Sequence, residues 1–210
     1  MGKVIVIEHL TLDGVMQSPG HRDEDPRDGF CYGGWGAEHG HPLMVQVMGA
    51  HMSDSWALLA GRTTYVRFAD FWPKQPPNPF TEALTRVRKY VASTTLQEPL
   101  PWHNSELLRG NVADAVAGLK RDLHENLVVF GSGVLVHSLM RADLVDELVL
   151  LIHPIVLGTG RRLFADSFPG PSSFELVESI AVPTGVIVVT YAATERRSGR
   201  SSRDVDCSCT

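Results

Sequence analysis

The chain has 210 residues, 43% of them apolar and 20% charged, with a formal net charge of -5. That length suits one sizeable core rather than two domains, and the slightly acidic balance offers no field for nucleic acid. No apolar run reaches the roughly 18 residues that span a bilayer, and the opening MGKVIVIEHL carries no signal-peptide cleavage pattern, so a cytoplasmic address with no membrane partner is expected. Cys31, Cys207 and Cys209 form no C-x-x-C pair and leave an odd count, which argues against a disulfide framework.

Lys3 to Glu8 is a β-branched run that predicts a central strand. A long connection follows from about Leu10 to Gly40, with Leu12-Asp13-Gly14 just past the strand. Asp23, Glu24, Asp25 and Asp28 read as a solvated acidic loop face, since the alternating ligand spacing of a calcium loop is missing. Pro42 at a first helical position predicts a helix to about Met52. Trp56 to Ala60 is a second buried strand, running into Gly61-Arg62-Thr63-Thr64-Tyr65 and a helix to about Phe71. A glycine between strand and helix, followed by a planar cation and two hydroxyls, can cradle a phosphate; the same residues also make an ordinary helix cap with a surface arginine.

Trp72-Pro73 ends that helix, and Asn78 with Pro79 starts another, with Phe80, Ala83, Leu84 and Val87 as its buried stripe. Tyr90 to Ala92 predicts a third strand ending in Ser93-Thr94-Thr95, whose hydroxyls serve either as turn formers or as contacts to a ribose or its phosphate. Glu106 to Leu108 is a short strand candidate, and Asn111 caps a well-patterned helix. Leu127 to Phe130 is then a buried strand, Gly131-Ser132-Gly133 a side-chain-poor turn, and Leu135/Leu139 with Val136/Met140 the inner face of a helix that leads to a strand at Leu148 to Ile152. Such a unit sets helix amides beside a strand's carboxyl end, where a nucleotide phosphate is the natural guest. Phe174 to Ala181 and Val186 to Ala192 are joined closely enough for an antiparallel hairpin, and from Glu195 onward the near absence of apolar residues predicts a disordered tail. One domain over residues 1–194 is the expectation.

Taken together, Leu12-Asp13-Gly14, Ala60 to Tyr65, Phe130-Gly131-Ser132-Gly133 and the run from Asp146 to Phe164 resemble the dihydrofolate reductase-like superfamily, most closely its riboflavin-biosynthesis reductase branch. The resemblance implies a three-layer α/β fold with a mixed, mainly parallel sheet and a C-terminal antiparallel hairpin. It also implies NADPH as hydride donor, a small-molecule substrate and a homodimer. Carried over by motif, Gly61, Arg62, Thr63 and Thr64 match the turn facing the pyrophosphate and the adenosine 2′-phosphate, and Ser93 and Thr94 match the strand end near the adenosine ribose phosphate. Gly131, Ser132, Gly133, Val134 and Leu135 match the glycine turn under the nicotinamide-side phosphate, while Leu12 to Gly14 match the loop bordering the nicotinamide. One departure stands out. Dihydrofolate reductases proper carry an acidic residue on the first helix, and the corresponding position falls near Val45 in a stretch without Asp or Glu, which argues against folate reduction. Arg161 and Arg162 are candidates for a substrate phosphate.

The protein's share of a hydride transfer is orientation and a proton route. Asp13 is the acid adjoining the expected nicotinamide position and the candidate proton donor; as part of a D-G turn it is equally a simple turn residue. Trp35, Phe71, Trp72 and Phe130 are candidates for an apolar wall against a flat heterocycle, with Trp35 and Phe130 offered as substrate contacts and plain core as the alternative. Glu38, His39 and His41 form the next candidate cluster for a proton source; the two histidines of H-G-H lack a third metal ligand in register, so surface or helix-start histidines are expected and no metal. The functional expectation is an NADPH-dependent oxidoreductase acting on a pyrimidine-like, pterin-like or carbonyl substrate; the rival is a nucleotide-binding protein of the same fold without turnover.

Overall fold

A computed structural model describes residues 2–53, 55–164 and 172–194. In chain order the strands are β1 (Val4–Thr11), β2 (Trp56–Gly61), β3 (Lys89–Ala92), β4 (Ser105–Leu108), β5 (Asn126–Phe130), β6 (Glu147–His153), β7 (Phe174–Ala181) and β8 (Ile187–Ala193). The helices are α1 (Pro42–Met52), α2 (Arg62–Phe71), α3 (Pro79–Arg86), α4 (Val112–Asp122) and α5 (Gly133–Arg141). All eight strands form one sheet in the order β4-β3-β2-β5-β1-β6-β8-β7. Pairing is parallel from β4 through β6, and β8 and β7 add an antiparallel margin. The mixed, mainly parallel sheet and the closing hairpin are therefore as expected.

Side chains alternate across a strand, and β1 shows what that does here. Val4, Val6 and Leu10 pack on one face with Val116 of α4 and Leu135, Val136 and Leu139 of α5. Ile5 and Ile7 pack on the other with Met44 and Val47 of α1, Tyr65 of α2 and Leu84 of α3. Helices thus cover both faces, which is why the central strands are largely apolar. Local signals set the helix starts. Asn78 accepts the amides of Phe80 and Thr81 while Thr81 returns a bond to the Asn78 amide, and Asn111 accepts the amides of Ala113 and Asp114.

Two expectations change. β1 runs three residues past Glu8 because Glu8 to Thr11 pair with Leu150 to His153 of β6, so Glu8 and His9 lie inside the sheet. The connection after β1 is packed rather than loose: Gln17 Nε2 donates to the carbonyls of Asp25 and Arg27, and Val15, Phe30 and Trp35 form a small apolar cluster. Within it Asp25 is no solvated loop acid. It is buried and pairs with Arg27 at 2.5 Å and with Arg67 of α2 at 3.3 Å. Burial would raise its carboxyl, but the Arg27 hydrogen bonds and charge, with the charge of Arg67, outweigh that and hold it below the ordinary value. The expected tail lies outside the described residues. No helix among the described residues is long and apolar enough to cross a membrane.

Candidate active site

Because β5 lies between β2 and β1, the turns that leave β2 and β5 emerge side by side at the carboxyl edge of the sheet. They are bonded to each other. The Gly61 amide donates to Ser132 Oγ at 3.0 Å, the Ser132 amide donates to Thr64 Oγ1 at 3.0 Å, and the Ser132 hydroxyl donates to the Phe130 carbonyl at 3.1 Å. Gly131 turns at φ +57°, and a Cβ there would stand 3.0 Å from Thr64 Oγ1, so glycine permits both the bend and the close approach. Two of the turn amides are used in holding the turns together. The first-turn amides of α2 and α5, which lack partners four residues back, remain to face a ligand.

These turns form one wall of a cleft of about 1710 Å³, well above the roughly 300–1,000 Å³ of an ordinary small-molecule site and large enough for a dinucleotide beside a second molecule. Gly61, Arg62, Thr63, Thr64, Ser93, Thr94 and the run Gly131 to Leu135 all line it. Arg62 is exposed there and makes no ion pair among the described residues. Leu12 and Gly14 are not in the lining; the Leu12 amide is tied to the Ile155 carbonyl, and Met16 and Gln17 reach the cleft from that loop instead.

Another part of the lining is apolar. Phe130, Phe68, Trp72, Phe80, Met48 and Val45 form it, and the Phe130 ring meets Phe80 edge-on at 5.9 Å. Phe130 is thus where a substrate contact was expected. Trp35 is not: only 7% exposed, it donates its indole N–H to the Gln17 carbonyl and packs in the cluster under the loop, outside the lining. Phe71 stacks on His21, also outside it.

Asp13 likewise falls outside the lining and is fully engaged. It accepts Thr11 Oγ1 at 2.6 Å and the amides of Leu157 and Gly158, and pairs with Arg162. The Thr11 hydroxyl first, then the two amides, hold its carboxyl down to about 2. A group so acidic and so occupied braces a loop and has no proton to give at neutral pH. Arg161 and Arg162, the candidates for a substrate phosphate, are each paired already, with Asp28 at 2.7 Å and Asp13 at 3.3 Å.

Two lining residues escaped notice in the sequence, Glu8 and His9. Adjacent on β1, they project to opposite faces of the sheet. Glu8 is 4% exposed and its Oε1 has no hydrogen-bond partner. Burial raises its carboxyl well above the ordinary value, with the charge of Glu24 adding to the rise and the Gly131 amide opposing it. His9 Nδ1 lies 2.9 Å from His153 Nε2, and the His153 ring meets Trp35 and His39 edge-on. Burial lowers His9 to about 4, and burial with the neighbouring imidazoles lowers His153 to about 3, so the pair is neutral at pH 7. The signal for both was available: an ionisable pair inside a run, VIVIEHL, that otherwise reads as buried strand. Among the described residues no group of three His, Cys, Asp or Glu side chains is arranged to hold a metal.

Comparison with known proteins agrees with this geometry. Residues 2–188 match the model of the RibD C-terminal domain family. An uncharacterized protein of Bacillus subtilis, YyaP, is 27% identical over 138 residues, which cover 64% of this chain and 72% of YyaP. The crystal structure of a putative riboflavin biosynthesis protein from Shewanella sp. PV-4 superposes with a TM-score of 0.67 at 24% identity, covering 93% of this chain and all of that one. Dihydrofolate reductase from Enterococcus faecalis, solved with NADP(H), superposes with a TM-score of 0.57 at 15% identity over 92% of this chain and 98% of the reductase, which fixes the fold as dihydrofolate reductase-like.

Proposed function

Since the chain belongs to the RibD C-terminal domain family, we propose that it is an NADPH-dependent reductase that delivers a hydride to a small, flat heterocyclic or carbonyl acceptor. The observation that carries this reading is the bonding of the Gly61 and Gly131 turns into one cradle, with two helix N-termini aimed at the same space and Arg62 beside them. A phosphorylated dinucleotide fits that donor set, because paired helix N-termini beside a guanidinium with no ion pair among the described residues suit a pyrophosphate and a further phosphate. The first-turn amides of α2 and α5 would hold the pyrophosphate, and Arg62 with Thr63 the additional ribose phosphate, by charge-assisted bonds. When bound, the reduced nicotinamide supplies a hydride.

The remaining work falls to the chain's own residues. Phe68, Phe80 and Phe130 give an acceptor a dry, flat surface and exclude water from the reacting atoms. The pairing of Arg161 with Asp28 and of Arg162 with Asp13 supports an acceptor with no phosphate of its own, in contrast to a ribosylaminopyrimidine phosphate. Val45, exposed in the cleft where folate reduction would need a carboxylate, supports exclusion of folates.

The test is a titration of the purified chain with NADPH followed by nicotinamide fluorescence, then a screen of pterins, pyrimidines and dicarbonyls for loss of reduced-nicotinamide absorbance. Saturable binding with oxidation by one of these classes is the expected result. Binding without oxidation by any of them would favour a cofactor-binding protein, and absence of binding at millimolar NADPH would end the reductase reading.

A further inference from the structure

We propose that Glu8 is the proton donor of this cleft, passing its carboxyl hydrogen to the nitrogen or oxygen of the acceptor's double bond as the hydride reaches carbon. The inference rests on the reductase reading and adds to it the half of the reaction that the cofactor does not supply.

Position comes first. In the parallel register Ile7 pairs with Phe130, so the next residue of β1, Glu8, stands beside Gly131 of the phosphate cradle, and it lines the cleft. Its carboxyl takes the Gly131 amide, which ties it to the same turn that would hold the cofactor. The second observation is the orphaned oxygen. A buried polar atom with no partner is costly and uncommon, and Oε1 of Glu8 is one of four such side-chain atoms among the described residues, the others being on His39, Trp102 and His153. Of these four residues, only Glu8 lines the cleft.

Elimination points the same way. Among the described residues, the other carboxyls and imidazoles of the lining each have a hydrogen-bond or ionic partner of their own. Asp25 is held in ion pairs by Arg27 and Arg67. Glu24 spends Oε2 on the Gly20 amide at 2.7 Å. His137 contacts the Leu163 carbonyl through Nε2, and His9 is a neutral imidazole with Nδ1 turned to His153. Burial favours the acid form of Glu8, the Glu24 charge reinforces this, and the Gly131 amide is the one opposing contact. A carboxylic acid kept neutral by an apolar setting is a recurrent way of supplying a proton at pH 7.

The step balances. The acceptor C=X bond, with X nitrogen or oxygen, gains a hydride at carbon from the reduced nicotinamide and a proton at X from Glu8. The Glu8 O–H bond breaks, an X–H bond forms, the product is the saturated CH–XH compound, and the Glu8 carboxylate recovers a proton from solvent before the next turnover.

Two experiments on the full chain decide the assignment. Dicyclohexylcarbodiimide modifies protonated carboxyls reached through apolar pockets. Mass spectrometry of the wild-type protein should find Glu8 labelled at pH 7, less so as pH rises, and protected at least about fivefold by saturating NADPH, as expected where a ligand orders and shields its pocket. Glu8→Gln (E8Q) keeps the shape of the side chain; it should bind NADPH within about threefold of wild type yet reduce 9,10-phenanthrenequinone at least about 100-fold more slowly, the usual scale of a lost general acid. Wild-type protein that binds no NADPH would overturn the reductase reading itself. Binding of NADPH with Glu8 unlabelled at pH 7, or with E8Q as fast as wild type, would overturn the Glu8 assignment alone.

Discussion

Gly61 and Ser132 lie 71 positions apart in the chain, yet the amide of one rests 3.0 Å from the hydroxyl oxygen of the other. The bond makes the ends of two parallel strands a single rigid corner, and the shape of the anion cradle depends on it. Ser132→Ala removes the acceptor while leaving the backbone conformation in place. Expected are a loss of about 2 kcal/mol in unfolding free energy, the ordinary worth of the two internal hydrogen bonds the hydroxyl makes, to the Gly61 amide and the Phe130 carbonyl, and a five- to tenfold rise in the NADPH dissociation constant. Urea unfolding and fluorescence titration read the two effects separately.

Arg62 discriminates between cofactors. Free of ion pairs among the described residues and exposed at the cleft, it has charge available for a ribose phosphate. Arg62→Ala should weaken NADPH binding by about 10- to 100-fold, in line with roughly 1.5–3 kcal/mol for a charged hydrogen bond, and change NADH binding less than about threefold. Equal weakening of both cofactors would place the arginine elsewhere.

Asp13 gives a stability prediction with a definite sign. Its folded value of about 2 lies below the ordinary carboxylate value, so its contribution is complete above that ordinary value and disappears as pH falls toward 2. Asp13→Asn should lower stability at pH 7 by about 1–2 kcal/mol, discounted for partial solvent contact, and should flatten the acid limb of a stability-against-pH curve. Chemical denaturation between pH 7 and pH 3 measures it.

The histidine pair acts in a higher window. Folded values of about 4 for His9 and about 3 for His153 lie below the ordinary imidazole value, so the folded state disfavours the proton and stability falls as pH drops from about 6.5 toward 3. His153→Phe should make unfolding less sensitive to pH between 6 and 4. A wild-type curve that is flat across that range would contradict the buried, neutral pair.

What could be read in the sequence was local. Asn78-Pro79 and Asn111 announced helix starts, and the apolar runs of β2, β5 and β6 announced buried strands, because capping and burial depend on near neighbours. The two glycine turns were equally plain. The loop after β1 was not: its order comes from Asp25 reaching Arg67 of α2, Trp35 reaching the Gln17 carbonyl and Gln17 accepting the Arg161 amide, partners up to 144 residues away. Asp13 illustrates the same limit. Its motif set it beside the cleft, but its hydrogen bonds to Leu157 and Gly158 come from a distant turn and draw it away. Glu8 was hidden for a different reason, since register with β5 and β6, and not its own neighbours, places it in the wall.

The outermost strand, β7, carries a further consequence. Among the described residues its outer margin has no partner strand, and Leu176 and Val177 are 53% and 62% exposed, a combination that would ordinarily invite a second molecule to zip on and grow into aggregate. The ladder with β8 is interrupted between Leu176 and Glu178, and carboxylates at Glu175 and Glu178 flank the break. An approaching copy would meet a kinked edge and like charge. Solubility at high concentration therefore hangs on a one-residue irregularity and two acids far from the chemistry, and a Glu178→Val protein would be the first to precipitate.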